Sequence, residues 1–278
     1  MSLMRREEYP PQAERNEQSA DYQIQADAMA KGIDGADIVY GADVYQRIAL
    51  FKAPKPNGTI LAFMHGGRWS YGYKESAAFM APSLNAAGVT LASIGHRLAP
   101  RARFPDPYND VADGIAWLAR HAKEFGGDAR RIFVSGHSSG GHIAAIVAVR
   151  HDWQAVRGLP ADVIRGALPI SGVYDITDPG WGDRGGRCPT LRTDDDGRAA
   201  SPLHVLDGSA PPHLVTWGSD DYPFLIPQGK DYATALKAAG VAVETLEVPG
   251  KTHFSIHLEA AAAGGEWMKR AVAFMEKN

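Results

Sequence analysis

The sequence predicts an α/β architecture in which a mostly parallel central sheet is covered by helices on both faces. Three observations carry that expectation. Short apolar runs of strand length alternate with amphipathic runs of helix length, and strands joined through helical crossovers lie parallel. The 278 residues are 45% hydrophobic, enough to bury a full core in a chain of a length that commonly forms one domain. A serine between glycines, Gly136-His137-Ser138-Ser139-Gly140, stands between an apolar run and a helix of small residues, a turn that open sheets of this kind use.

Met1-Ser2-Leu3 ahead of Met4 reads as an added leader and carries no information about the fold. Residues 1–36 form an N-terminal arm. They are polar, charged and rich in helix formers around Pro10-Pro11, which predicts one or two helices lying on the main domain, residues 37–278. Ile38-Val39-Tyr40 and Arg47-Ile48-Ala49-Leu50-Phe51 then read as a hairpin. Strands follow over Thr59–Met64, Val89–Ile94, Arg131–Ser135, Arg165–Ile170, His213–Trp217 and Val241–Val248. Helices are predicted near 75–87, 107–125, 140–150, 228–239 and 259–276. Residues 178–200 interrupt this rhythm with glycine, proline, arginine and aspartate, which predicts a loop or small lid.

Composition excludes several functions. A net charge of −3 with 22% charged residues leaves no basic face for nucleic acid, so the expected partner is a small molecule. The apolar runs fall well short of the ~20 residues that cross a bilayer, and no apolar segment follows a basic one near the N-terminus; the cytoplasm is the expected compartment and no membrane partner is expected. The single cysteine, Cys188, cannot form an intrachain disulfide, and its loop setting reads as a bland thiol. No metal-ligand spacing occurs, so neither metal nor cofactor is expected. An exposed edge strand or helix would support a homodimer.

Polar residues just beyond strand ends are where an open α/β sheet places its chemistry. Ser138 sits on such a turn, which forces its hydroxyl clear of the sheet over a helix N-terminus and makes it the expected nucleophile. After the strand at 59–64 comes His65-Gly66-Gly67-Arg68-Trp69, whose glycines let backbone N–H groups face a developing oxyanion; the N–H of Ser139 is the expected second donor. His65 is expected to hold that loop. The acid that orients the base lies in Gly218-Ser219-Asp220-Asp221, with Asp221 favoured over Asp220. His253 follows the last strand and is the expected general base, with His257 its nearby rival, while His137 and His142 pack beside the turn. Serine, aspartate and histidine thus occur in the chain order of α/β-hydrolases.

Over most of residues 38–276 the chain resembles the kynurenine formamidase (arylformamidase) branch of the α/β-hydrolases, next to the hormone-sensitive-lipase-like carboxylesterases. The blocks that carry the resemblance are His65–Trp69, Lys74–Met80, Gly136–His142, Ser171–Ile176 and Ser201-Pro202-Leu203. Arg97-Leu98-Ala99-Pro100 with Phe104-Pro105 and Asp110 is similar instead to the esterases, which have tyrosine where His96 stands and a third glycine where Arg68 stands. The resemblance implies a serine hydrolase that converts N-formylkynurenine to kynurenine and formate, with the arm and residues 178–200 as small lid elements covering the site and no large cap domain. Formamidases usually carry an aromatic residue at the position of Arg68, so the pocket wall departs from the pattern there. Arg68, Trp69, Tyr73 and Trp181, with Tyr71, are the candidate pocket residues. A short-chain carboxylesterase without amide preference is the main alternative, and a non-catalytic binder of small ligands a remote one.

Overall fold

The computed structural model describes residues 2–178 and 188–278. Eight strands form one sheet: β1 Ala36–Val39, β2 Arg47–Phe51, β3 Gly58–Met64, β4 Thr90–Ile94, β5 Gly127–His137, β6 Ile164–Ile170, β7 His213–Asp220 and β8 Val243–Thr252. Their spatial order is β1-β2-β4-β3-β5-β6-β7-β8. Only β2 runs against its neighbours; β4, β3, β5, β6, β7 and β8 pair in parallel. The result is the mostly parallel, helix-covered sheet that the alternation of strands and helices predicts.

Eight α-helices accompany the strands among the described residues: α1 Glu17–Ala30, α2 Ala81–Ala86, α3 Asp106–His121, α4 Ser139–Val149, α5 Pro202–Val205, α6 Leu225–Ala238, α7 Ser255–Glu259 and α8 Glu266–Lys277. Alternate residues of a strand point to opposite faces, and two cores follow from that. In β3, Ile60, Ala62 and Met64 join the core under α3 and α4, whereas Leu61 and Phe63 join the core under α2 and α8. Every residue of α4 is buried, as a helix of glycine, alanine, isoleucine and valine with only Ser139 and His142 as polar members allows.

Two predicted helices differ in detail. The run at 75–87 begins as a 3-10 helix, Lys74–Met80, before α2, and the run at 259–276 is split into α7 and α8. The split falls at Gly264-Gly265, where two residues without side chains offer the backbone no helix preference. The arm holds a 3-10 turn, Arg6–Glu8, and α1, whose first turn is capped by the Asn16 side chain accepting from Ser19 N–H at 2.9 Å. It is anchored by a buried charge cluster: Lys74 Nζ donates to Tyr9 Oη at 2.8 Å and pairs with Asp37 at 3.0 Å. Residues 179–187 of the predicted loop or lid, Trp181 among them, lie outside the described residues. The described remainder of that segment docks on the sheet, with Cys188, Leu191 and Ala200 in the core and Thr190 O accepting from Phe104 N–H at 2.7 Å. No helix among the described residues is long and apolar enough to cross a membrane.

The strand order places the site. From β3 the chain moves outward to β4, then returns past β3 to β5, so the loops leaving β3 and β5 diverge and open a crevice at the carboxyl edge.

Candidate active site

Ser138 links β5 to α4 with φ 57° and ψ −121°, a left-handed conformation unusual for a residue with a side chain. Its N–H is held by Ile170 O at 2.9 Å, which leaves the hydroxyl projecting beyond the sheet. That hydroxyl donates to His253 Nε2 at 2.9 Å, and His253 Nδ1–H donates to Asp221 Oδ1 at 2.8 Å. An ionised carboxylate only accepts, so the proton on His253 sits at Nδ1 and Nε2 is left free to take one. The three residues come from the ends of β5, β7 and β8.

Asp221 and Asp220 are now distinguished. Asp220 ends β7, is exposed and accepts from its neighbour Ser219 at 3.1 Å. Asp221 is buried and receives, besides the imidazole, the N–H of Tyr222 at 2.7 Å on Oδ1 and the hydroxyl of Ser171 on Oδ2. Burial on its own would raise the carboxyl pKa, but the hydrogen bond and charge of His253, then the Ser171 hydroxyl and the Tyr222 amide, hold it below the ordinary value. Ser171 was not singled out from the sequence. Its position immediately after β6, beside the strand that carries Ser138, was the available signal.

The histidines around the site are structural in their contacts. His257 is buried with Nδ1 against Tyr22 Oη at 2.6 Å, far from either aspartate in its bonding, so it does not compete with His253. His137 Nε2–H donates to the carbonyl of His253 at 2.7 Å and thereby fixes the backbone that carries the base. His142 accepts the indole N–H of Trp69 at 3.1 Å and donates to Ala200 O at 2.7 Å. His65 Nδ1–H donates to Gly66 O at 2.8 Å and its ring stacks on His96 at 4.5 Å, which braces the loop after β3.

That loop meets the serine. A Cβ built on Gly66 would lie 3.3 Å from Ser138 Cβ, and Gly67 adopts φ 127° where a side chain would overlap the Tyr71 carbonyl. Ser139 opens α4, so its N–H has no acceptor within the helix. The backbone amides of Gly66, Gly67 and Ser139 thus border one space beside the Ser138 hydroxyl, the disposition an oxyanion needs.

The space is a cavity of about 340 Å³. Arg68, Trp69 and Tyr71 line it as expected; Tyr73 does not, because its ring packs against Tyr9 at 5.1 Å under the arm. Trp69 is a wall more than a contact, being 2% exposed with its N–H committed to His142. The sequence did not disclose the rest of the wall: Arg15, Ser19 and Tyr22 from the arm, and Tyr222, Phe224 and Phe254 from the loops that carry the acid and the base. The arm is stitched over the cavity by Gln12, whose side-chain amide exchanges two 2.9 Å hydrogen bonds with the backbone of Gly72, and by Ser19 to Tyr71 at 3.0 Å. Cys188 stands apart, buried, with its thiol pushed up to about 12 by desolvation. Among the described residues no group of three or more histidine, cysteine or carboxylate side chains could hold a metal ion.

Comparison with known proteins agrees with this geometry. A family model described as alpha/beta hydrolase fold matches residues 61–257. The chain is 31% identical over 248 residues to esterase LipC of Mycobacterium tuberculosis, covering 82% of this chain and 61% of that protein. It is also 31% identical over 234 residues to an ethyl acetate hydrolase of Pseudomonas putida, covering 74% of this chain and 70% of that one. The chain spans about 60% of the length of several curated relatives it matches. Among solved structures, a thermophilic carboxylesterase cloned from a metagenomic library superimposes with a TM-score of 0.77 at 23% identity, over 95% of this chain and 97% of that one, a likeness of fold.

Proposed function

This chain belongs to the alpha/beta hydrolase fold family, and from that premise we propose that it is a serine carboxylesterase acting on small esters of short acyl groups. The observation that carries the reading is the unbroken hydrogen-bond chain from Ser138 through His253 to Asp221 at the wall of a small cavity. The esterase names of the relatives support ester over formamide.

In the proposed reaction Ser138 Oγ attacks the ester carbonyl while His253 Nε2 takes its proton, and Asp221 stabilises the imidazolium that forms. The carbonyl oxygen becomes an oxyanion between the Gly66, Gly67 and Ser139 amides. Such preorganised donors are worth ~3 kcal/mol each in related sites, because they are not reoriented as the charge develops. His253 then protonates the departing alcohol, and water activated by the same imidazole attacks the acyl-enzyme, releasing the acid and restoring the serine. The size of the cavity and its closure by the arm favour short acyl chains.

A second reading, cleavage of an aryl formamide such as N-formylkynurenine, draws on the aromatic wall of Tyr22, Tyr71, Tyr222 and Phe254. Turnover of p-nitrophenyl acetate and butyrate, set beside that of N-formylkynurenine, separates the two, with Ser138→Ala as control. The esterase reading expects rapid ester cleavage, negligible formamide cleavage and loss of both turnover and fluorophosphonate labelling in the variant. Formamide turnover exceeding that of the acetate would reverse the order, and a variant as active as wild type would refute both.

A further inference from the structure

Two arginines line the cavity and no acidic side chain does so among the described residues, although the chain as a whole is net negative by three charges. Asp221, the nearest carboxylate in the site, is shut away behind His253 with its side chain fully covered. Arg68 follows the two glycines of the oxyanion loop with φ 51°, a conformation that turns it off the loop's path, and its guanidinium makes no ion pair among the described residues. Arg15 reaches in from the other side. Its guanidinium is stacked over the rings of Tyr71 and Tyr73, 4.9 and 5.3 Å from their centroids, and is bonded to Gln12 at 3.3 Å, which fixes its plane, with no carboxylate paired to it among the described residues. Elsewhere Arg97 pairs with Asp110 and Arg157 with Asp113, while arginines such as Arg101 and Arg198 make no ion pair among the described residues but stand exposed at the surface, away from any cavity lining.

Two guanidinium groups at one small cavity, with no carboxylate lining it among the described residues, give it a positive field that favours an anion. They make sense when an anion completes them. We infer that the substrate is an ester bearing a carboxylate, held by Arg68 and Arg15 while the carbonyl is presented to Ser138. A planar guanidinium fork matches the two oxygens of a carboxylate, and the aromatic rings of Tyr22, Tyr222 and Phe254 suit a flat body between the charge and the ester. This inference deepens the esterase reading and rests on it for the word ester, but not for the charge.

The test has a binding arm that needs no turnover. In Ser138→Ala protein, benzoate and its uncharged isostere benzamide are titrated by calorimetry. Benzoate binds at least about tenfold tighter, as a charge-assisted hydrogen bond provides; the preference collapses in the additional variant Arg68→Gln, is partly restored by Arg68→Lys, and weakens with added salt. Equal binding of the two ligands, or a preference that survives Arg68→Gln, overturns the inference, and tighter binding of phenyl phosphate than of benzoate overturns the carboxylate assignment. The kinetic arm compares 3-acetoxybenzoate with phenyl acetate in otherwise wild-type protein. The ratio of their kcat/KM values favours the charged ester and falls about tenfold in Arg68→Gln, mainly through KM. If benzoate binds as expected and neither ester is cleaved, the charge inference stands and the esterase reading falls; if both esters are cleaved alike, the reverse holds.

Discussion

Asp221 takes hydrogen bonds from three parts of the chain, and Ser171 is the one that can be removed without touching the imidazole or the backbone. Its φ of 48° turns the hydroxyl to Asp221 Oδ2, so its role is to hold the carboxylate plane in line with His253 Nδ1. Ser171→Ala is expected to lower kcat about tenfold with little change in KM, since a misaligned acid weakens transition-state stabilisation without altering ground-state binding. A change confined to KM would show that Ser171 acts on the pocket instead. At this scale Ser138 and His253, the nucleophile and base of the proposed reaction, were legible because a strained turn and a strand-end histidine leave local signatures. The acid was legible only as a pair, since Asp220 and Asp221 differ by where a strand stops. Tyr73 was misplaced in the wall, and Arg15 and Tyr22 were not seen, because the wall joins segments as distant in sequence as Arg15 and Phe254.

Between elements, α4 approaches the end of β3 backbone to backbone. Gly140 lies so near the end of β3 that a methyl group there would overlap the Met64 and His65 carbonyl oxygens. Gly140→Ala is therefore expected to cost about 3 kcal/mol, at the upper end for overpacking, because backbone and not a flexible side chain stands in the way. Denaturant unfolding measures it, and a loss below about 1 kcal/mol would mean that α4 slides freely on the sheet. The alternation of apolar strands and amphipathic helices made the sheet and its crossovers readable, including the antiparallel pair at its edge. The break between α7 and α8 was not read, because Ala260–Ala263 continues the helical composition and only Gly264-Gly265 marks the interruption.

Taken whole, the protein buries many imidazoles in their neutral form. His65, His96, His137, His142, His213 and His257 are all held below the ordinary value, by desolvation first, with His96, His142 and His213 lowered to about 4 and His257 to about 3. Above pH ~6.5 these rings are neutral in both states and nothing is lost. As pH falls below that, the unfolded chain takes up protons that the folded rings refuse until about pH 4, so stability declines across this window by up to ~1.4 kcal/mol per pH unit for each ring. The Asp221 carboxyl, depressed in the fold, adds a further loss below its unfolded value of ~3.9. Thermal melts should show Tm flat from pH 8 to about 7 and dropping steeply toward pH 4.5; a flat Tm down to pH 4.5 would mean that the imidazoles become charged in place. During synthesis α1 emerges ahead of Ser138, and Ser138 well ahead of His253. A nascent chain can therefore assemble much of its sheet while remaining chemically silent, and hydrolytic capacity arrives in one step once β8 and the loop after it have followed.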